Sequence, residues 1–198
     1  MKVKLGKLAD IQIGYQVKGR ITPQVDGTHQ LVQTSDVNPD GEVAWGALAV
    51  FTPVRKGVDR YVLRDGDVLF LAKGTRQTAA LVVSPPPHAL AVSTFCILRV
   101  REVADVLPGY LAWFLNVAAR DQLATIVRQG VTIPFVPKEA LADLTITLPD
   151  HATQRRVAEL DRLARREKQL TLELLEQRAR LVRMVTQRAV TGERNETW

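Results

Sequence analysis

At 198 residues, with 46% hydrophobic and 24% charged residues and a mean hydropathy of -0.04, the chain has room for one domain with a real core plus one further element, and two full domains would be crowded. No apolar run approaches the ~20 residues that cross a bilayer, and residues 1–14 hold no hydrophobic signal core, so a cytoplasmic protein without membrane contact is expected. The net charge of +6 and pI near 9.8 are unevenly distributed: residues 1–150 carry 16 Lys and Arg against 14 Asp and Glu, and residues 151–191 carry 10 against 5, which points to a polyanion near the last fifth of the chain.

The first segment predicts a helical turn at 7–9 and a strand at 11–13 ended by Gly14. Polar residues with Gly and Pro follow through Gly27 and read as a surface loop carrying Lys18 and Arg20. A strand at 29–34 leads to Ser35, Asp36 and the turn Asn38-Pro39-Asp40-Gly41. Further strands are expected at 42–45, 61–63, 67–71, 79–83 and 93–100. Many short strands joined by loops imply an α+β fold with a curved, mostly antiparallel sheet and short helices. Cys96 sits in the apolar run Phe95-Cys96-Ile97-Leu98 and reads as a buried structural thiol; alone, it makes no intrachain disulfide.

Two loops stand out, 51–57 with Arg55, Lys56 and Gly57, and 72–78 with Lys73, Gly74, Thr75, Arg76 and Gln77. Each joins a glycine, which permits close backbone approach, to side chains that bind phosphate or base edges. A simple exposed hairpin is the competing reading of each. The second loop is not a Walker loop, because no second glycine followed by Lys and Ser or Thr is present.

Pro108 starts a helix over 108–116, and 118–127 continues it as a second or kinked helix, with Tyr110, Trp113 and Phe114 on the buried face. Gly130 caps that helix after Arg128. A short helix at 137–141 and a strand at 144–148 then bring the chain to Pro149, and Asp150 caps the last element. This element is an uninterrupted helix without Gly or Pro to Val190, about 60 Å long at ~1.5 Å per residue. Leu160, Leu163, Leu170, Leu174, Leu181 and Met184 recur at coiled-coil spacing, with Glu167, Gln177 and Arg188 in the remaining seam positions and Val157, Leu175, Val182 and Val185 widening one flank. The seam is expected to pair with another helix in a dimer. Packing lengthwise on its own domain is the competing reading.

Catalytic signatures are missing. His29, His88, His151 and the single cysteine have no zinc-ligand spacing, so neither a metal nor a cofactor is expected. There is no nucleophile elbow, dinucleotide fingerprint or HExxH helix. The run Ser84-Pro85-Pro86-Pro87-His88 lacks the Asn or Asp start and aromatic end of an amino-methyltransferase loop, and Asp65 and Asp67 read as turn residues. The chain is not expected to be an enzyme on its own.

Several landmarks, taken in order, resemble the specificity subunits of type I restriction-modification systems. They are Leu5-Gly6-Lys7-Leu8-Ala9-Asp10-Ile11 with Gly14; Ser35-Asp36-Val37; Leu63-Arg64-Asp65-Gly66-Asp67-Val68-Leu69-Phe70 with Gly74; and Pro108-Gly109-Tyr110-Leu111. Gly130-Val131-Thr132, the stretch 146–149 with Gln154 and Val157, and Arg188-Ala189-Val190-Thr191-Gly192 are similar to that family's passage from recognition domain into spacer helix. The resemblance covers residues 3–192. It departs at Thr153-Gln154, where the family commonly has Glu-Gln, and in holding one recognition domain and one helix where a full subunit has two, as a half-subunit would.

The resemblance implies a target recognition domain at 1–150, a dimerisation and spacer helix at 151–191 and a flexible tail at 192–198. It also implies a non-catalytic DNA reader that places a methyltransferase, and in some systems a translocating nuclease, on a bipartite target in double-stranded DNA. By donor and acceptor chemistry Arg76 and Gln77 suit guanine and adenine, with Arg20, Gln33, Arg55 and Arg128 as further base readers. Lys18, Lys56 and Lys73, with Thr75 in the same loop, suit phosphate positioning. Two other readings stay open: a coiled-coil adaptor of a defence system that binds protein rather than DNA, and a relic that holds a methyltransferase inactive.

Overall fold

Two apolar runs, Val-Leu-Phe-Leu at Val68–Leu71 and Phe-Cys-Ile-Leu at the start of Phe95–Val100, have no polar residue to turn toward water, so the strands they form need cover on both faces. The computed structural model describes residues 1–17, 19, 24–54, 57–126 and 134–191, and it supplies that cover. Its strands are β1 (Lys2–Lys4), β2 (Ala9–Ile13), β3 (His29–Val32), β4 (Ala49–Phe51), β5 (Val68–Leu71), β6 (Ala79–Leu81), β7 (Ala89–Ala91), β8 (Phe95–Val100) and β9 (Thr145–Thr147). Its helices are α1 (Leu5–Leu8), α2 (Pro108–Trp113), α3 (Arg120–Ile126), α4 (Lys138–Ala142) and α5 (His151–Thr191). The α+β class expected from the sequence is the class observed. The glycine cap expected at Gly130 and the tail 192–198 lie outside the described residues.

The described strands fall into three sheets rather than one. An antiparallel sheet of order β2-β8-β5-β6 is the centre, a second has order β4-β3-β7, and β1 pairs with β9. All pairs are antiparallel except β3 with β7. In the central sheet Val68 and Phe70 of β5 join Cys96 and Leu98 of β8 in one core with α1 to α4, while Leu69, Leu71, Phe95 and Ile97 face a second core. Burying a side chain as large as Phe70 or Phe95 stabilises the fold by about 1.5–3 kcal/mol. Burial pushes the Cys96 thiol up to about 11, which fits the structural role expected of it.

A third cluster, Tyr15, Leu31, Phe51, Tyr61 and Leu90, lies against the second sheet. The chain passes between the two sheets at Gly14, whose N–H donates to the Phe95 carbonyl before Tyr15 donates to Ala91. A Cβ at Gly14 would lie 2.4 Å from the Val92 oxygen and 2.5 Å from the Ala91 oxygen, both backbone atoms that cannot yield cheaply.

Two expected strands are not strands. Residues 42–45 supply one isolated bridge, Val37 to Val43, and a 3-10 turn at Trp45–Ala47 follows. Asn38 Oδ1 accepts from the N–H groups of Asp40 and Glu42, and that tight turn consumes the residues a ladder would need. Residues 61–63 belong instead to a 3-10 turn, Val58–Tyr61, and a single bridge from Val62 to Leu90. The kink expected after α2 is a π turn, Phe114–Ala118, in which the Ala119 N–H reaches back to Phe114.

The long helix is α5, with 41 residues. Asp150 caps it, accepting from the Thr153 N–H and hydroxyl at 2.9 Å each, and those bonds hold its carboxyl below the usual carboxylate range. The chain divides into two compact units, Met1–Ala158 and the remainder from Glu159. In the first, Gln154 is 1% exposed and Val157 packs against the core. In the second, all six seam residues are exposed, from Met184 at 44% to Leu160 at 66%, and Arg162–Glu159 and Arg165–Asp161 pair along the helix. No helix among the described residues is long and apolar enough to cross a membrane.

Candidate nucleic-acid interface

The hairpin between β5 and β6 closes where the apolar run ends: Leu71 donates to Thr78, and the five residues from Lys73 to Gln77 form the loop. Gly74 turns it with φ +127°, a backbone region that side-chain-bearing residues rarely enter. The base of the loop is held from several directions. The N–H groups of Ala72 and Lys73 both donate to the Thr94 carbonyl, at 2.9 and 3.2 Å. Gly74 donates to Pro134, and Val136 donates to Ala72, so the segment 134–136 forms one flank.

The other flank is the 3-10 turn Thr34–Asp36. Thr34 Oγ1 lies 3.2 Å from Thr94 Oγ1, and an Arg76 guanidinium nitrogen donates to the Val37 carbonyl at 3.3 Å. Gln33, Lys73, Thr75, Arg76 and Gln77 therefore belong to one cluster of loops joined through Thr94. Lys73, Thr75 and Arg76 are exposed, as are Thr34 and Ser35 beside Gln33; Gln33 and Gln77 are half-buried.

The two glutamines differ from the arginine in what already occupies them. Gln33 caps its own turn: its side chain accepts from the Asp36 N–H while its N–H donates to Asp36 Oδ2 at 2.7 Å. Gln77 Nε2 donates to the Gly74 carbonyl at 3.0 Å, which braces the loop from inside. Lys18, Arg20, Arg55, Lys56 and Arg128 lie outside the described residues.

Three supporting groups had no sequence signal that assigned them. Thr94 sits in the turn between β7 and β8. Asn116, in the π turn, bonds both backbone groups of Ala79 at 2.8 Å each. Asp67, 1% exposed, makes a bidentate pair with Arg99, Nε to Oδ1 at 2.7 Å and Nη2 to Oδ2 at 2.6 Å, and also accepts from the Arg64 N–H. The hydrogen bonds to Asp67 raise the Arg99 pKa further, and the pair ties β8 to the turn that begins β5. This cluster is exposed, polar and cationic, built of donors on a rigid frame, which is chemistry for an anionic surface with addressable edges.

No family model and no curated protein matches the chain. Among solved structures it is similar to the type I restriction-modification S subunit from M. genitalium, with TM-score 0.63 and 13% identity over 95% of this chain and 45% of that one. It is also similar to a chain from a structure of the complex assembly and conformational transition of the type I R-M system, with TM-score 0.67 and 22% identity over 93% of this chain and 43% of that one. A third is the HsdS subunit from Thermoanaerobacter tengcongensis, with TM-score 0.58 and 21% identity over 100% of this chain and 50% of that one. The chain thus has the fold of type I S subunits and spans about half the length of these structures.

Proposed function

We propose that this chain is a sequence-specific DNA-binding specificity subunit of a type I restriction-modification system, with 1–150 as the target recognition domain and 151–191 as the spacer and dimerisation helix. It performs no chemistry itself; it places a methyltransferase subunit, and in a restricting system a translocating nuclease, on a bipartite target. The observation that carries this reading is the exposed loop 73–77, presenting Lys73, Thr75 and Arg76 from a braced frame within an S-subunit fold. Lys73 and Thr75 suit phosphate contacts, and Arg76 suits a guanine edge in the major groove. Lys18, Arg20, Gln33, Arg55, Lys56, Gln77 and Arg128 complete the proposed surface.

Pairing of two copies is supported by the seam itself. Turned end for end about Leu172, eight of the nine seam positions map onto one another: Leu160 meets Met184, Leu163 meets Leu181, Leu170 meets Leu174, and Glu167 meets Gln177; the ninth, Arg188, meets Arg156 near the end of the overlap. A parallel pair would set Glu167 against its own copy, a like-charge contact in a desolvated position. An antiparallel pair replaces that contact with a carboxylate and an amide that can hydrogen-bond. The reading is therefore a two-fold, isologous dimer of two readers.

Selection from randomised duplexes by the purified chain tests the reading. The wild type is expected to enrich one short sequence, with log K falling linearly against log salt. Arg76→Ala is expected to lose about 1–3 kcal/mol of discrimination at one position. Gln77→Ala is expected to do less through DNA, since Gln77 must first give up its bond to Gly74. Enrichment of no sequence by the wild type would favour an adaptor that binds protein.

A further inference from the structure

The strand β6 is the outer strand of the central sheet, and it begins one residue after the loop 73–77 and Thr78. Thr78 bonds inward to Leu71 and Val82 bonds inward to Asp67. By strand alternation Ala79 therefore turns its N–H and C=O outward, to an edge that no further strand joins among the described residues. Ala79 is completely buried, so those two groups need partners. Asn116 provides both: its Oδ1 accepts from the Ala79 N–H and its Nδ2 donates to the Ala79 oxygen, each at 2.8 Å. The side-chain amide does what the peptide of a neighbouring strand would do.

The π turn explains why an asparagine in a helix can reach a strand edge. A wider turn places more consecutive residues on one face than an α turn does. Phe114 and Leu115 stay buried in the core while Asn116, next in sequence, meets β6. The π turn lies at the foot of the loop that carries Lys73, Thr75 and Arg76, and the opposite foot is fixed by Thr94 and Val136.

The geometry points to Asn116 as a positioning residue for base reading: it locks the β6 end of the loop 73–77, and so sets where Arg76 meets the DNA without touching DNA itself. This rests on the DNA-reading role proposed above. Loss of the lock leaves a buried N–H and C=O unpaired next to the loop, and the loop then samples several placements. Phosphate contacts tolerate such movement, whereas a bidentate base contact does not.

The test uses the full chain as Asn116→Ala, Asn116→Asp and, as a control for general destabilisation, Ile146→Ala, the buried residue of β9. Duplex selection is expected to show discrimination falling on the order of tenfold in Asn116→Ala at the position read by Arg76. Total affinity for random duplex should stay within about twofold, because phosphate contacts supply it. Asn116→Asp keeps the acceptor for the Ala79 N–H but sets a carboxylate oxygen against the Ala79 carbonyl, so it should lose discrimination as well, whereas Ile146→Ala should retain all of it. Amide hydrogen exchange is followed in parallel without DNA, where residues 73–79 should lose protection in Asn116→Ala and keep it in Ile146→Ala. Unchanged discrimination in Asn116→Ala, or equal loss in Ile146→Ala, overturns the positioning role. If the wild type itself selects no sequence, the DNA-reading role fails, and the exchange data still decide whether Asn116 locks the loop.

Discussion

Leu170→Glu with Leu174→Glu is expected to convert a dimer into a monomer and to abolish any binding that requires two half-sites. In the antiparallel pair proposed above these residues would face one another at the two-fold axis, so two substitutions per chain would remove four leucines from a single patch. At about 1.5–3 kcal/mol for each leucine withdrawn from a buried contact, the loss is at least about 6 kcal/mol, more than four orders of magnitude in Kd. Opposed carboxylates in the same place add to it. Sedimentation should report half the wild-type mass, while duplex selection should still enrich one half-site, since the recognition loops are untouched. Equal masses for the two proteins would mean that this leucine face serves something other than self-association. The effect is sharp because each of the six seam residues is already exposed in the single chain, so their substitution costs the protomer little.

Gln154→Leu is expected to cost the protomer more stability than any surface change. Gln154 Oε1 accepts from the Leu107 N–H at 2.9 Å, and its Nε2 donates to the carbonyls of Asp105 at 3.1 Å and Pro149 at 3.0 Å. One amide thus fastens the first turn of α5 to the segment that leads into α2 and to the link between β9 and α5. Leucine fits the volume but strips three backbone groups, two of them on half-buried residues, of the side-chain partner that holds them. At about 1 kcal/mol for each bond lost, the expected loss is roughly 3 kcal/mol. Urea unfolding should show a lowered midpoint with an unchanged slope, and an unchanged midpoint would show that these backbone groups are satisfied some other way.

Much of the centre of the fold is legible in the residues. The runs that form β5 and β8 have one possible environment, and the helix α5 is announced by 41 residues without Gly or Pro between an Asp150 cap and its end. The pieces that were not legible depend on distant partners. β1 exists because β9 lies some 140 residues away in the chain, and Lys2-Val3-Lys4 carries no local strand signal of its own. β7, Ala89-Leu90-Ala91, is a strand through its parallel pairing with β3, and small residues after a proline run do not advertise that. Conversely, 42–45 had strand-like residues, but Asn38 diverted them into a turn.

The same division holds at the candidate interface. Glycine and cations mark the loop 72–78 in the sequence, and Asp67 reads as an ordinary turn residue until Arg99, 32 residues on, is seen clasping it. Gln33 and Gln77 carry base-reading chemistry by residue type, yet both amides are engaged within the loop cluster. Asn116 is invisible from sequence because its role depends on which backbone edge the helix meets. Gln154 stood out only through the family resemblance, and its burial supplies the physical reason.

The most direct test of the central claim is a map of methylated positions in DNA from cells that carry this chain together with a partner methyltransferase. Two identical readers related by a two-fold axis must see inverted copies of one short sequence. In the proposed pair an arm of about 60 Å would hold them apart, and at ~34 Å per DNA turn the half-site centres should lie between about one and two turns from each other. The expected result is a gapped palindrome methylated once in each half. An asymmetric bipartite site would contradict the pairing of two copies, and methylation without sequence preference would contradict the reading of DNA by this chain altogether.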